Sequence, residues 1–325
     1  MYVAEYDVMK LVDRIQEENG KISEVYFVAC GGSLIDLYSS NYFVNRESKT
    51  MIADWIPSKE FVLTPPKRLG KSSLVFICSH GGNTKETVEA ADAAAEAGAF
   101  VISYTHDDTS RCADDKYHAI VYKWEPETPQ NEKPMCITYG ILNELIHRQE
   151  PEYALYEGMK DGIVKCDGII RKAMKTYQNK AWNFAEHYYN APFLYIMSSG
   201  AAYAQAYGFA ICSLQEMQWM DCCYLHSGEY FHGPFECTDE DHLYILLMGT
   251  GAARVMDERA LTFLQKYGKK YEVIDAVELG IDSIDASVNE YFCPMVFYAM
   301  SVAYRTGLQD KRRHPLDMRR YMGVV

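Results

Sequence analysis

No Cys-x-x-Cys pair, no excess of basic charge, no apolar run of membrane-spanning length and no basic-then-apolar leader occurs in this sequence. Each absence excludes a class. The ten cysteines are scattered, several inside apolar segments (Cys30, Cys78, Cys212, Cys293), which reads as reduced, buried thiols rather than a disulfide framework. The vicinal pair Cys222-Cys223 does not change that reading. His226, His232 and the run Asp239 to His242 match no familiar ligand spacing, so no metal is expected. A net charge of −13 argues against a nucleic-acid partner, which needs a basic stripe. The lack of a long apolar run and of a leader makes the expectation a cytoplasmic protein with no membrane partner. A small phosphorylated ligand stays open, because backbone N–H groups and hydroxyls at a helix N-terminus can hold one.

What is present is a globular chain of 325 residues, 48% of them apolar. That length suits two domains, each with its own core. Val8, Leu11, Val12 and Ile15 mark one face of a first helix, ending at Gly20. The apolar run Val25 to Cys30 reads as a buried parallel strand, followed by Gly31-Gly32-Ser33 and a helical segment. Strand, glycine turn and helix form the first unit of a doubly wound sheet. A second unit follows: strand Leu74 to Cys78, turn Ser79-His80-Gly81-Gly82-Asn83-Thr84, an alanine-rich helix and strand Phe100 to Tyr104. Hydroxyls and glycines where a strand enters a helix N-terminus form an anion cradle. The polar, proline-rich stretch 125–134 reads as a loop, and Pro151 marks a boundary.

Beyond Pro151 the same logic recurs. Strand Phe193 to Met197 runs into Ser198-Ser199-Gly200, and His242 to Met248 runs into Gly249-Thr250-Gly251. The chain thus contains an internal duplication of architecture. The second copy's turn lacks the serine and threonine set, and loss of phosphate binding is expected there. Between these strands lies Gln215 to Pro234, QEMQWMDCCYLHSGEYFHGP, with Glu216 at the end of an apolar helical run from Gly200. A carboxyl in that place is costly unless paired or used. His232 precedes Gly-Pro and belongs on a turn. A carboxylate and an imidazole are what proton shuttling near neutral pH requires. On the residues alone, a helix-end glutamate and a surface histidine are the favoured reading.

This segment resembles the second half of the sugar isomerase (SIS) domain family, in particular the isomerase part of glucosamine-6-phosphate synthase. There a Lys-Glu pair precedes Ala-Gly-Glu-Leu-Lys-His-Gly-Pro with the same glutamate-to-histidine spacing; Phe231 replaces the lysine here. The resemblance implies an α/β fold of two tandem doubly wound SIS domains, each a parallel sheet flanked by helices. Residues 1–150 would be the first, 151–313 the second, and 314–325 a tail over the active site. It also implies roles: Glu216 moves a proton between C1 and C2 of a sugar, and His232 helps open the ring, often in a neighbour's site. The family's Ser-x-Ser-Gly-Glu-Thr phosphate loop is matched at Ser79, Gly82 and Thr84, with His80 between; Gly81 and Asn83 depart from it. Ser33 matches the serine of the family's Cys-Gly-Thr-Ser loop, with Gly32 replacing threonine, and Asn131 falls where a family loop approaches substrate.

The family's tail lysine, which forms an imine with the open sugar, falls on Arg320. Arginine stays protonated and forms no such imine; an electrostatic clamp and an ordinary basic tail are the two readings. The whole length resembles the fructosamine 6-phosphate deglycases of this family, such as those acting on fructoselysine 6-phosphate. That resemblance implies conversion to glucose 6-phosphate and free amine, with no cofactor and a homodimer or higher assembly. An aldose–ketose isomerase, an aminosugar-phosphate deaminase and a sugar-phosphate-sensing regulator are the alternatives.

Overall fold

The computed structural model describes residues 7–322, which form two compact units dividing between Asp167 and Gly168. In the first, Asp7 caps helix α1 (Val8–Asn19), its carboxylate accepting from the Lys10 N–H at 3.3 Å, and Gly20 ends it at φ +77. Strand β1 (Glu24–Ala29) passes directly into α2 (Gly31–Glu47). Then follow β2 (Ile52–Pro57), α3 (Ser58–Leu63), β3 (Ser73–Cys78), α4 (Lys85–Glu96), β4 (Phe100–Thr105) and β5 (Ile120–Val121). Helix α5 (Pro134–Gln149) starts with proline, whose missing N–H costs nothing in a first turn. The expected boundary at Pro151 lies in the turn before α6 (Tyr156–Tyr188), and the two compact units divide inside that helix.

The first sheet has the order β2-β1-β3-β4-β5, every pair parallel. Strands β1, β3 and β4 are buried along their whole length, as unbroken apolar runs with helices on both faces require. Phe27, Phe76 and Tyr104 stack across them at 5.3 and 6.2 Å. The β1–β3 register sets Ala29 beside Cys78, so the residues that follow each strand emerge side by side.

The second unit repeats the plan. Strand β6 (Leu194–Ser198) leads through a short 3₁₀ turn into α7 (Tyr203–Gly208), which continues as a π-helix over Phe209–Glu216. Next come β7 (Cys222–His226), β8 (Leu243–Met248), α8 (Arg254–Tyr267), β9 (Lys270–Asp275) and α9 (Cys293–Arg312). The sheet order β7-β6-β8-β9, again all parallel, matches the first four strands of the other sheet. Among the described residues, no helix is long and apolar enough to cross a membrane.

Candidate active site

In the first unit, the turn Ser79–Thr84 folds back on itself. The Ser79 side chain is nearly buried and its hydroxyl lies 3.0 Å from Thr84 Oγ1, while the Gly82 N–H donates to Ser79 O at 3.0 Å. Gly82 has φ +65, and a Cβ there would collide with the Ser110 side chain, so the turn requires glycine. Gly81 is different: a Cβ meets nothing within 4 Å, so the family's serine would fit. The N–H groups of Gly81, Asn83 and Thr84 donate to no other described residue. They stand at the start of α4, where the helix dipole favours an anion.

Two exposed side chains of the turn are tied to neighbouring groups. Asn83 braces the loop, donating from Nδ2 to Gly81 O (3.2 Å) and accepting the Arg111 N–H (3.1 Å), which leaves its own N–H as the group it could offer an anion. His80 Nδ1 lies 2.8 Å from the Tyr122 hydroxyl, with its ring stacked on His106 at 5.1 Å. Desolvation, and then the like charge of His106, lower its pKa, which favours neutral imidazole.

Because Ala29 pairs with Cys78, the first turn of α2 brings Gly32 and Ser33 beside this cradle. The Ser33 hydroxyl hydrogen-bonds the Cys78 thiol, whose pKa burial pushes far up. One turn on, Asp36 is partly buried; desolvation raises its carboxyl to about 7 against the opposing pull of Lys133. Asn131 is partly buried in the 3₁₀ turn Gln130–Glu132 that leads into α5.

In the second unit, Glu216 is the last residue of the π-helix; such wide turns recur at functional sites. Its Oε1 accepts from Arg319 Nη2 at 2.7 Å, the two side chains being 24% and 23% exposed. The costly carboxyl is therefore paired. Arg319 is itself anchored, Nη1 donating to Leu316 O (2.6 Å) and Met318 O (3.0 Å). Glu216 Oε2 bonds to no described residue and stays available to take a proton. The pair borders a cavity of about 590 Å³, lined also by Trp219, Asp221, Arg320 and Met322. Arg320 lies 3.8 Å over the Trp219 ring.

The tail that supplies these arginines is pinned. The His314 N–H donates to Gln309 O (3.1 Å), the Leu316 N–H to Gln309 Oε1 (3.1 Å), and Gln218 Nε2 to His314 O (3.1 Å). Sequence reasoning found Arg320 and missed Arg319, its neighbour in the Arg-Arg doublet, which is the residue that touches Glu216. It also missed Trp219. His232 lies elsewhere in this unit, exposed at the end of the 3₁₀ turn Glu229–His232 and outside the Glu216 cavity.

The second unit's counterpart of the anion turn is occupied by its own residues. The Gly249 N–H donates to Asp257 Oδ2 (3.2 Å), and Arg254, which donates to Gly249 O (2.9 Å), is clamped by Asp275 at 2.8 and 2.7 Å. A Cβ at Gly251 would run into the Glu290 carboxyl. With Asp275 already paired to Arg254, the carboxyls of Asp257 and Glu290 at this turn oppose an anion.

No protein-family model matches the chain. Among curated proteins, fructosamine deglycase FrlB of Bacillus subtilis (strain 168) is 39% identical over 96% of this chain and 95% of its own length. The chain belongs to the fructosamine deglycases of the SIS family. Fructoselysine 6-phosphate deglycase of Escherichia coli (strain K12) is 26% identical over 99% of this family member and 92% of itself. In fold, the C-terminal domain of glucosamine-fructose-6-phosphate aminotransferase from Francisella tularensis superposes with a TM-score of 0.77 at 14% identity, covering 94% and 89% of the two chains. The tandem parallel sheets are thus those of the SIS family, as the resemblance of the Gln215–Pro234 segment implied.

Proposed function

We infer that this family member is a deglycase converting a fructosamine 6-phosphate, such as fructoselysine 6-phosphate, to glucose 6-phosphate and free amine. The observation that carries this is Glu216: a carboxylate held by Arg319 through one oxygen, with the other open beside a cavity. The phosphate is held by the Gly81, Asn83 and Thr84 amides with the Ser79 and Thr84 hydroxyls, and Ser33 and Gly32 border that cradle. His80 supports its wall, and Asn131 approaches the sugar. His232 relays the proton that opens the ring. Its exposure, away from the Glu216 cavity of its own unit, suits action in a neighbouring subunit of a homodimer or larger assembly.

In the open ketose, Glu216 takes a proton from C1 as O2 gains one from solvent, and the C1–C2 enaminol forms. Return of the proton to C2 leaves a C1 imine, which water hydrolyses to the aldehyde of glucose 6-phosphate and the amine. Arg320 acts as an electrostatic clamp over the cavity. These proton transfers need no cofactor. The ten cysteines, all free, suit a reducing compartment, and we place the reaction in the cytoplasm.

The test is incubation with fructoselysine 6-phosphate, following glucose 6-phosphate with a coupled dehydrogenase. Glu216→Gln and His232→Ala each lower kcat by roughly 10²–10⁴-fold, the range of a general acid–base contribution, while Glu216→Gln still binds the substrate. Absence of glucose 6-phosphate from lysine- and other amino-acid-derived substrates overturns the reading.

A further inference from the structure

The cavity beside Glu216 has a composition that proton transfer does not explain. We propose that it is the subsite for the amine's substituent, and that Arg320, presented on the Trp219 ring, binds a carboxylate there and so selects among fructosamine 6-phosphates. The proposal rests on the deglycase reading. In a fructosamine 6-phosphate the nitrogen is bonded to C1, the carbon that Glu216 deprotonates, and the phosphate is at the opposite end of the carbon chain. Whatever the nitrogen carries therefore begins two bonds from the reacting carbon, against the wall to which Glu216 belongs.

That wall offers both hydrocarbon contact and charge. Trp219 and Met322 line it and suit an aliphatic chain. Of its two guanidiniums, that of Arg319 is neutralised by Glu216. Arg320 has no carboxylate within ion-pair distance among the described residues, in a chain where 45 acidic residues face 32 basic ones. Stacking at 3.8 Å on the indole fixes the guanidinium plane and leaves its N–H edge free for a two-pronged grip on a planar anion. Asp221, exposed on the same wall, supplies the opposite sign for the ammonium of an amino-acid end.

The backbone points the same way. Trp219 has φ +51, a left-handed conformation that costs a bulky residue energy and that glycine would take freely at a helix end. The His314 ring, 4.4 Å from the indole, and the Trp219 N–H, donating to Gln215 O at 3.2 Å, hold it there. Strain of this kind persists where the surroundings enforce it, and it clusters at ligand clamps.

The experiment compares fructoselysine 6-phosphate with its carboxamide, and fructosylglycine 6-phosphate with fructosylglycinamide 6-phosphate. Each pair has nearly one shape and differs by the carboxylate's charge. The expected result is a preference for the carboxylate partner of at least one pair of roughly 10- to 100-fold in kcat/KM, the worth of a hydrogen bond to a charged group. In Arg320→Gln that ratio falls to about one. Release of glucose 6-phosphate at equal kcat/KM within both pairs leaves the deglycase reading standing and overturns the Arg320 subsite. No release from any of the four overturns both.

Discussion

At the scale of single residues, the central relation is the one between Glu216 and Arg319. A carboxylate at the end of an apolar helix needs a partner, and a guanidinium fixed by two backbone carbonyls supplies one in a single orientation. On the proposed mechanism Arg319 is a positioning residue, because it would act through the carboxylate. Arg319→Met is expected to lower kcat by roughly 10- to 100-fold with KM within about twofold, the value of one charged hydrogen bond lost from a reacting group. Arg319→Lys recovers part of that loss, since it keeps the charge without the planar fork. A fall confined to KM, in steady-state assays of both variants, would refute the assignment. Glu216 was singled out through the resemblance of the Gln215–Pro234 segment to the SIS family. Arg319 was not, because the pairing joins residues 103 positions apart and counting from the tail proline selects the adjacent arginine.

At the scale of elements, α2 has a measurable signature. Its first two turns carry Ser33 and Asp36, three positions apart and so on one face, toward the end of β3. The carboxyl of Asp36 has a folded-state pKa of about 7 against 3.8 for the ordinary group. Between these values the folded chain retains a proton that the unfolded chain releases, so this group makes stability fall as pH rises from about 4 to 7. Asp36→Asn removes that slope. By thermal or urea unfolding, the variant is expected to be more stable than the parent at pH 8 by on the order of 2 kcal/mol, allowing for partial exposure, with the gap closing below pH 4. A constant difference at all pH values would refute it.

The elements also show where sequence reading stops. Strands β1, β3, β4, β6 and β8 were visible as apolar runs, and β9 as a short segment near Glu272-Val-Ile-Asp. The three that were not, β2, β5 and β7, all lie at sheet edges. There β2 alternates between exposed and half-buried positions and ends in proline, and β5 has only two residues, so neither leaves an unbroken apolar run. The π-helix at Phe209–Glu216 was hidden for another reason. Its residues carry an ordinary buried-helix composition, and only the hydrogen-bond spacing differs.

At the scale of the molecule, two sheets share the order of four strands, yet the turns after β3 and β8 have diverged. In the first, Ser79–Thr84 leaves three amides unclaimed. In the second, Asp257, which burial raises to about 6, already takes the Gly249 N–H, and Asp275 and Glu290 crowd the same turn. The absence of a serine–threonine set in that turn was readable from sequence; the carboxyls that fill it were not, since they come from α8, β9 and the segment before α9. A duplicated scaffold would suggest two sites per chain. The filled turn halves that number: calorimetric titration with glucose 6-phosphate should reach its end point at one equivalent per polypeptide, and an end point at two would show that the duplicate still binds.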